Sequence, residues 1–413
     1  VECEDRLREQ RAAATMASRT RAPPSNRVQM VLGMAPPIII GDRTTIRSVA
    51  NMLCDQILDS LRFHEVIEVF DLRDLATDQL GRFGHGAQPS IELLARLRVV
   101  ELGGGTQISI QVRNVVTHRI VWSMTLHGDD EADATFNIMR VTEFSAQVVE
   151  AIHAAVCQIT EPSREGVMQA AVHQLISHSV EGQDRARRIL VELQSSSGLA
   201  HAWMGYTYAV AHGERHGVLG MDELEEADYH CRRAAELDPS NPLARALIAH
   251  TNAFVLQDYA MADEHLTVAR RFGPNLAMTW RSAALHAHYT GNANQARQSA
   301  ERAHRLGQFS PYNGVYSTCH MITSATTGRL RDAITIGEQI LKKRPGYLAA
   351  LRHLSACYAL EGKTSKARGL VENIRAIDPS FNLKGIREPS YPLPSAQSIE
   401  LITEGFSALG MMD

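Results

Sequence analysis

The sequence predicts an α+β fold in which a small α/β domain precedes an all-helical solenoid. Three observations predict it. Strand-like runs fill residues 28–160, and a short motif recurs about every 34 residues within 163–388. An apolar stripe of helical spacing then closes the chain within 389–413. The 413 residues, 44% of them hydrophobic, suffice for two or three domains with buried cores.

Charge and cysteine content narrow the function classes. The 42 basic and 46 acidic residues are well mixed, with a net charge of -4, so no surface for nucleic acid or an anionic membrane is expected. The longest apolar run, residues 28–40, spans 13 positions and contains two prolines, too few for a spanning helix of about 20. Six scattered cysteines form no CxxC pair, which favours reduced thiols in a cytoplasm and no metal or other cofactor.

Residues 1–27 carry six arginines and no acidic residue after Glu9. This composition predicts a flexible linker or arm, and an organelle transit peptide is the alternative. The chain begins with Val1 rather than Met, so a preceding segment is expected. Nucleic-acid contact is expected only through this arm or a domain upstream of it.

Residues 28–160 alternate strand and helix patterns. Predicted strands lie at 28–34, 65–72, 91–102, 106–115 and 118–128, the last three joined by short turns. Ile46, Val49, Leu53, Ile57 and Leu61 share one face of a helix that begins at Thr44 or Thr45. Further helices are expected at 73–80 and 134–156. Two βα units followed by an antiparallel meander make a small α/β sandwich.

The motifs "GNANQA" (291–296), "GRLRDA" (328–333) and "GKTSKA" (362–367) share a glycine and an alanine five residues later. The alanine position recurs at spacings of 35, 34, 37 and 34, at Ala227, Ala262, Ala296, Ala333 and Ala367. Twelve residues after four of these alanines stand Pro239, Pro274, Pro345 and Pro379. Each unit is therefore predicted to be a helix, a tight turn, a second helix and a proline turn.

This pattern resembles the tetratricopeptide repeat (TPR), and Trp280 stands at the tryptophan position of that repeat. Five repeats are clear, and a weaker one with Ala186 in the marker position precedes them. The first clear repeat carries about eight extra residues around "HGERHGVLGMD" (212–222). The marker alanines and Trp280 are predicted to pack the repeats together.

Stacked repeats of this kind curve, and their first helices line the concave face. The groove is predicted to hold a protein or peptide segment. The sequence leaves open whether the solenoid also forms a homo-oligomer. The residues predicted to face the groove are Thr251, Phe254, Arg281, His288, Tyr289, Thr318 and Arg352.

The end of the chain predicts a short capping helix for the last repeat. Ile399, Ile402, Phe406 and Leu409 follow helical spacing after the proline-containing stretch "REPSYPLPSA" (387–396).

A second resemblance rests on "QVRNVVTHRIVWSMTLHGD" (111–129), on the repeats and on "ITEGFSALGM" (402–411). Together they resemble the TolB-like plus TPR region of bacterial class III adenylate cyclases and of winged-helix transcriptional regulators, over nearly all of residues 28–413. The resemblance implies a sensing and coupling part of a bacterial signalling or transcription regulator. The 27 residues before the first strand are too few for a cyclase or winged-helix domain, so that output would lie upstream; a stand-alone adaptor is the alternative.

Other candidate chemistry is weaker. "GGGT" (103–106) favours a hairpin turn over a phosphate loop. "HGERH" (212–216) lacks the HExxH order, which favours a polar loop over zinc. Cys319 and His320 diverge on a helix, and acidic residues 129–133 favour a solvated loop over calcium. An enzyme with a cleft between the domains is the competing class, and no catalytic residue is predicted.

Overall fold

A computed structural model of the chain describes residues 30–41, 44–61, 67–74, 91–102, 105–128, 143–149, 151–152, 164–216, 219–308, 310, 312–388 and 390–411. Four predicted features lie wholly or mostly outside these residues: the arm at 1–27, the helix at 73–80, the acidic residues 129–133 and the helix at 134–156. Gly103 and Gly104 also lie outside them.

One mixed sheet forms the first half of the described chain. Its strands are β1 (Met30–Met34), β2 (Ile38–Ile40), β3 (Ile67–Asp71), β4 (Leu93–Leu102), β5 (Gly105–Asn114) and β6 (Ile120–Gly128). The order is β3-β1-β4-β5-β6. β1 pairs with the first residues of β4 (93–95), and β2 pairs with residues 98–100 of the same strand. The pairs β1–β3, β1–β4 and β2–β4 are parallel, and β4–β5–β6 is the antiparallel meander that the sequence predicts. The short β2 was not predicted.

Alternation along the strands decides which face is buried. Leu97 pairs with Ile110 and Val99 with Ile108, and all four are at most 1% exposed. Helix α1 (Thr44–Leu61) covers this face with the apolar stripe that the sequence predicts, of which Val49 is half-buried and the other four are buried.

A helical segment, residues 143–149, connects the sheet to the second half of the chain. Phe144 joins the core of the sheet, whereas Ala146 belongs to the core of the helical half. At its exposed edge, Glu143 pairs with Arg305 at 2.7 Å and Gln147 donates to the Arg305 carbonyl. One segment therefore packs into both cores.

The second half consists of helical hairpins. The bounds are α2 (Arg164–Ile176) with α3 (Val180–Leu193), α4 (Gly198–Gly213) with α5 (Met221–Leu237), α6 (Pro242–Thr251) with α7 (Tyr259–Phe272), α8 (Ala277–Tyr289) with α9 (Ala293–Leu306), α10 (Asn313–Thr326) with α11 (Leu330–Lys343), and α12 (Leu348–Leu360) with α13 (Thr364–Ile377). A last helix, α14 (Ala396–Ala408), follows. The architecture is of the tetratricopeptide type, with six described hairpins.

The repeated positions have the packing roles that their chemistry suggests. Ala227, Ala262, Ala296, Ala333, Ala367 and the earlier Ala186 all lie on second helices and are at most 1% exposed. Gly291, Gly328 and Gly362 end first helices with φ of 84°, 78° and 71°, a conformation that glycine adopts without strain. Trp280 lies half-buried against the core, and its indole N–H donates to the Pro274 carbonyl at 2.6 Å.

Candidate functional site

The concave face of the solenoid contains a pocket. Six of the seven residues predicted to face the groove line it: Phe254, Arg281, His288, Tyr289, Thr318 and Arg352. The cavity offers about 100 Å³ to the centres of water molecules, several times what one water needs. The first helices bring these side chains together because each presents the same face inward.

Thr251 is the exception. It is fully buried, and its hydroxyl donates to the Leu247 carbonyl one turn earlier at 3.1 Å. The helix widens to a π-turn at Asn252–Leu256 directly after it. The Thr251 side chain is therefore closed off from the pocket.

Stacked rings form one wall of the pocket. His250 stacks on Phe254 with ring centroids 5.4 Å apart, and Phe254 stacks on Tyr289 at 5.7 Å. These side chains come from α6, the π-turn and α8, so neighbouring repeats build the wall together. It is a mainly apolar wall suited to contact with another apolar or aromatic group.

Arg281 is buried, which is unusual for a charged side chain. It is 6% exposed and lines the pocket. Its Nε and Nη1 have no hydrogen-bond partner among the described residues. No carboxylate among these residues forms an ion pair with Arg281 either. Its guanidinium lies 5.6 Å from the ring centroid of Tyr206, and a guanidinium remains charged in proteins.

A loop from the second hairpin crosses the groove to the last one. The carboxylate of Glu214 accepts a hydrogen bond from the Leu348 N–H at 3.0 Å, at the first turn of α12. Arg352 Nη2 donates to the Gly213 carbonyl at 2.8 Å. A carboxylate at a helix N-terminus is favourable, but burial here raises the pKa of Glu214 to about 7 despite the nearby Arg352 charge.

Further contacts reinforce this crossing. Arg215 pairs with the buried carboxylate of Asp378 at 3.6 Å, and Asp378 also accepts from the Tyr391 hydroxyl at 3.3 Å. On the other side, the rings of His178 and Tyr347 have centroids 4.4 Å apart. The first two hairpins therefore touch the sixth, and the groove is bridged. The sequence signal for this bridge is the eight-residue insertion, interpreted above as a polar loop.

The chain's own tail, residues 390–411, covers another side of the pocket. Ser398 Oγ lies 2.9 Å from His288 Nε2 and 3.0 Å from His353 Nε2. His353 Nδ1 lies 2.8 Å from the Ala349 carbonyl and must donate to it, so its Nε2 accepts from Ser398 and His288 donates. Burial lowers the pKa of His288 to about 3 and of His353 to about 4, so both imidazoles are neutral.

Helix α14 packs along α12 and touches α10, which are both first helices. The contact with α12 is close, because a Cβ on Gly405 would lie 2.7 Å from Ala356 Cα. Ile402, Phe406 and Leu409 are buried in the core of the last repeats, and Ile399 packs against it. The predicted capping helix thus lies on the concave side.

The other candidate residues do not form a reactive site. Burial raises the pKa of the Cys319 thiol to about 12, and His320 instead faces His304, with ring centroids 5.2 Å apart. His216 Nδ1 contacts Gln183 Oε1 at 2.6 Å. In the described part of the chain, no group of three or more His, Cys, Asp or Glu residues could hold a metal ion. Nor does any described helix have the length and hydropathy to cross a bilayer.

No family model and no curated protein matches the chain. Solved structures similar to it include PilF of Pseudomonas aeruginosa (15% identity, TM-score 0.37, 52% of this chain and 89% of that one). A tetratricopeptide repeat protein from Parabacteroides merdae is 13% identical (TM-score 0.33, 60% and 98%). YrrB, a TPR protein with an unusual peptide-binding site, is 18% identical (TM-score 0.30, 47% and 93%). At these TM-scores the likeness is weak, and the repeat architecture rests on the helices of this chain.

Proposed function

We propose that the chain is a regulatory binding module whose groove takes a polypeptide segment. The observation that carries this proposal is the position of the tail: Ser398 contacts His288 of α8 and His353 of α12, and α14 packs on α10 and α12. The groove therefore already holds one segment of polypeptide, its own. A partner segment would compete with the tail for this surface.

The proposal favours binding over catalysis. The buried Cys319 thiol is held protonated, and the imidazoles of His288 and His353 are committed to Ser398. The described cysteines are free and buried, which supports a reducing, cytoplasmic location. We extend the proposal to the resemblance above: the parallel strands followed by a meander would be a TolB-like domain of a bacterial signalling or transcription regulator. Mass spectrometry of the intact protein's N-terminal peptide would test for an upstream output domain.

The groove is tested with a fluorescent synthetic peptide of residues 389–411 and the full chain. Gly405→Leu should displace the tail, because its side chain would meet the backbone of Ala356. The labelled peptide should then bind this variant more tightly than the wild type, as measured by fluorescence anisotropy. Gly369→Leu is the matched control, since its site on α13 has nothing within 4 Å.

Equal binding of the peptide to all three proteins would contradict the proposal. So would an absence of binding to a folded Gly405→Leu variant. Thermal unfolding of each variant shows whether it is folded.

A further inference from the structure

The pocket beneath the tail contains a positive charge that the protein does not neutralise. Arg281 is 94% buried, and its Nε and Nη1 lack protein partners within the described residues. Burying a charge without a counter-ion is costly, so such a group is found paired, bound to a ligand or solvated. The cavity that Arg281 lines gives room for such a ligand.

The groups that act electrostatically on Arg281 do not supply a negative charge. They are Tyr206, Cys319, Tyr347 and Tyr289. Burial raises the pKa of Cys319, Tyr347 and Tyr289, so these three are neutral at neutral pH. His178 and His250 are also near, and burial lowers the pKa of both, so they carry no charge that would compete for an anion.

The remaining charges of the pocket favour an anion as well. Arg352 is 2% exposed, and its Nη1 is unpaired although its other nitrogens donate to Leu348 and Gly213 carbonyls. Glu214 is the one carboxylate among the described residues that line the pocket. It already accepts from the N-terminus of α12. Two guanidiniums therefore face one committed carboxylate.

The rest of the lining indicates the body of the ligand. Phe254 and Tyr289 line the pocket with aromatic rings, and Val210, Leu285 and Ile322 add aliphatic surface. A highly hydrated, compact anion would leave these surfaces without a partner. A planar apolar group attached to the anion would cover them.

We infer that this pocket binds a small organic carboxylate with a planar, apolar body, about the size of benzoate. The carboxylate pairs with the guanidinium of Arg281 through Nη2, because Nε and Nη1 have almost no accessible surface, and the body lies beside Phe254 and Tyr289. Guanidinium is the side chain best suited to a carboxylate, and the charge-assisted contact sets the specificity. The inference does not depend on partner binding in the groove.

The test uses the full chain at neutral pH with benzoate, acetate and the uncharged benzamide as probes. Isothermal titration and the unfolding temperature should show saturable benzoate binding. Acetate and benzamide should each bind at least about tenfold more weakly, because one lacks the body and the other the charge. A tetrapeptide ending in phenylalanine tests for a peptide ligand: if it binds as tightly as benzoate, the site belongs to a protein C-terminus and the inference fails.

Arg281→Gln should weaken benzoate binding by about ten- to a hundredfold, the usual value of a charge-assisted hydrogen bond. Arg331→Gln makes the same change at an arginine whose side chain is 90% exposed on α11, and it should bind as the wild type does. Equal benzoate affinity in a folded Arg281→Gln variant would overturn the inference. If that variant does not fold, the comparison of benzoate with benzamide on the wild type decides alone, and equal affinities refute it.

Discussion

Gly405→Ala is the sharpest test of how the tail packs. An alanine Cβ at this position would lie 2.7 Å from Ala356 Cα and 2.9 Å from the Ala356 carbonyl oxygen. Since these are backbone atoms of α12, α14 must move away to relieve the overlap. Overpacking typically costs about 1–3 kcal/mol, and replacing a helical glycine returns about 1 kcal/mol. We expect a net loss of about 0–2 kcal/mol in the free energy of unfolding.

Gly369→Ala makes the same chemical change on the exposed face of α13, where nothing lies within 4 Å. Only the helix-propensity gain of about 1 kcal/mol applies there. In urea unfolding, Gly405→Ala should therefore be about 1–3 kcal/mol less stable than Gly369→Ala. Hydrogen exchange should also rise within residues 396–408 of Gly405→Ala. If Gly405→Ala is stabilised as much as Gly369→Ala, α14 does not pack closely on α12 and the reasoning is wrong.

Three further changes test the groove and the repeats. The raised pKa of Glu214 means that its stabilising contribution is present below about 4.5 and lost as pH rises through about 7. The free energy of unfolding of Glu214→Gln, measured with urea, should therefore fall less between pH 5 and 8 than that of the wild type. Parallel plots of this free energy against pH would contradict the expectation. Ser398→Ala leaves His288 and His353 without their shared hydroxyl, and should cost about 1–3 kcal/mol of unfolding free energy at pH 7. Its effect should stay nearly constant from pH 7 to about pH 5, because the lowered pKa values keep both imidazoles neutral in the folded protein over that range. An effect that vanishes above pH 5 would contradict these hydrogen bonds. Ala296→Leu should lower the free energy of unfolding by about 1–3 kcal/mol, because this alanine is 1% exposed between packed helices. Urea unfolding measures this change, and an unchanged midpoint would contradict the close packing of the helices.

The helical repeats could be predicted from short sequence patterns, because each hairpin needs small residues at fixed positions for its helices to pack closely. Ala296 and Gly291 are needed by a single hairpin, so their spacing repeats wherever the hairpin repeats. The same periodicity placed Arg281 and Arg352 on the inward face. It failed at Thr251, which is fully buried at the end of α6. In the sheet, β2 has three residues, too few for alternation to be visible.

The closure of the pocket could not be predicted in this way. Glu214 meets Leu348 across 134 residues, and no local spacing encodes which helix N-terminus a loop will reach. The apolar stripe of α14 showed that the helix buries one face, but several repeat surfaces could receive it. Gly405 was the available clue, since a glycine within a helix costs stability unless a close approach requires it.

The tail and the proposed carboxylate site share walls, because His288, His353 and Ser398 line the same pocket as Arg281. If the docked tail helps to enclose the ligand, releasing it with Gly405→Leu must weaken benzoate binding. Linkage then requires the reverse effect: benzoate must strengthen docking of the tail by the same factor. Titrating benzoate into the wild type and into Gly405→Leu measures that factor. Hydrogen exchange within 396–408, with and without benzoate, gives it independently for the wild type. Equal benzoate affinities would show that the two sites are uncoupled despite their shared residues, since a ligand shifts an equilibrium only by its differential affinity for the two states.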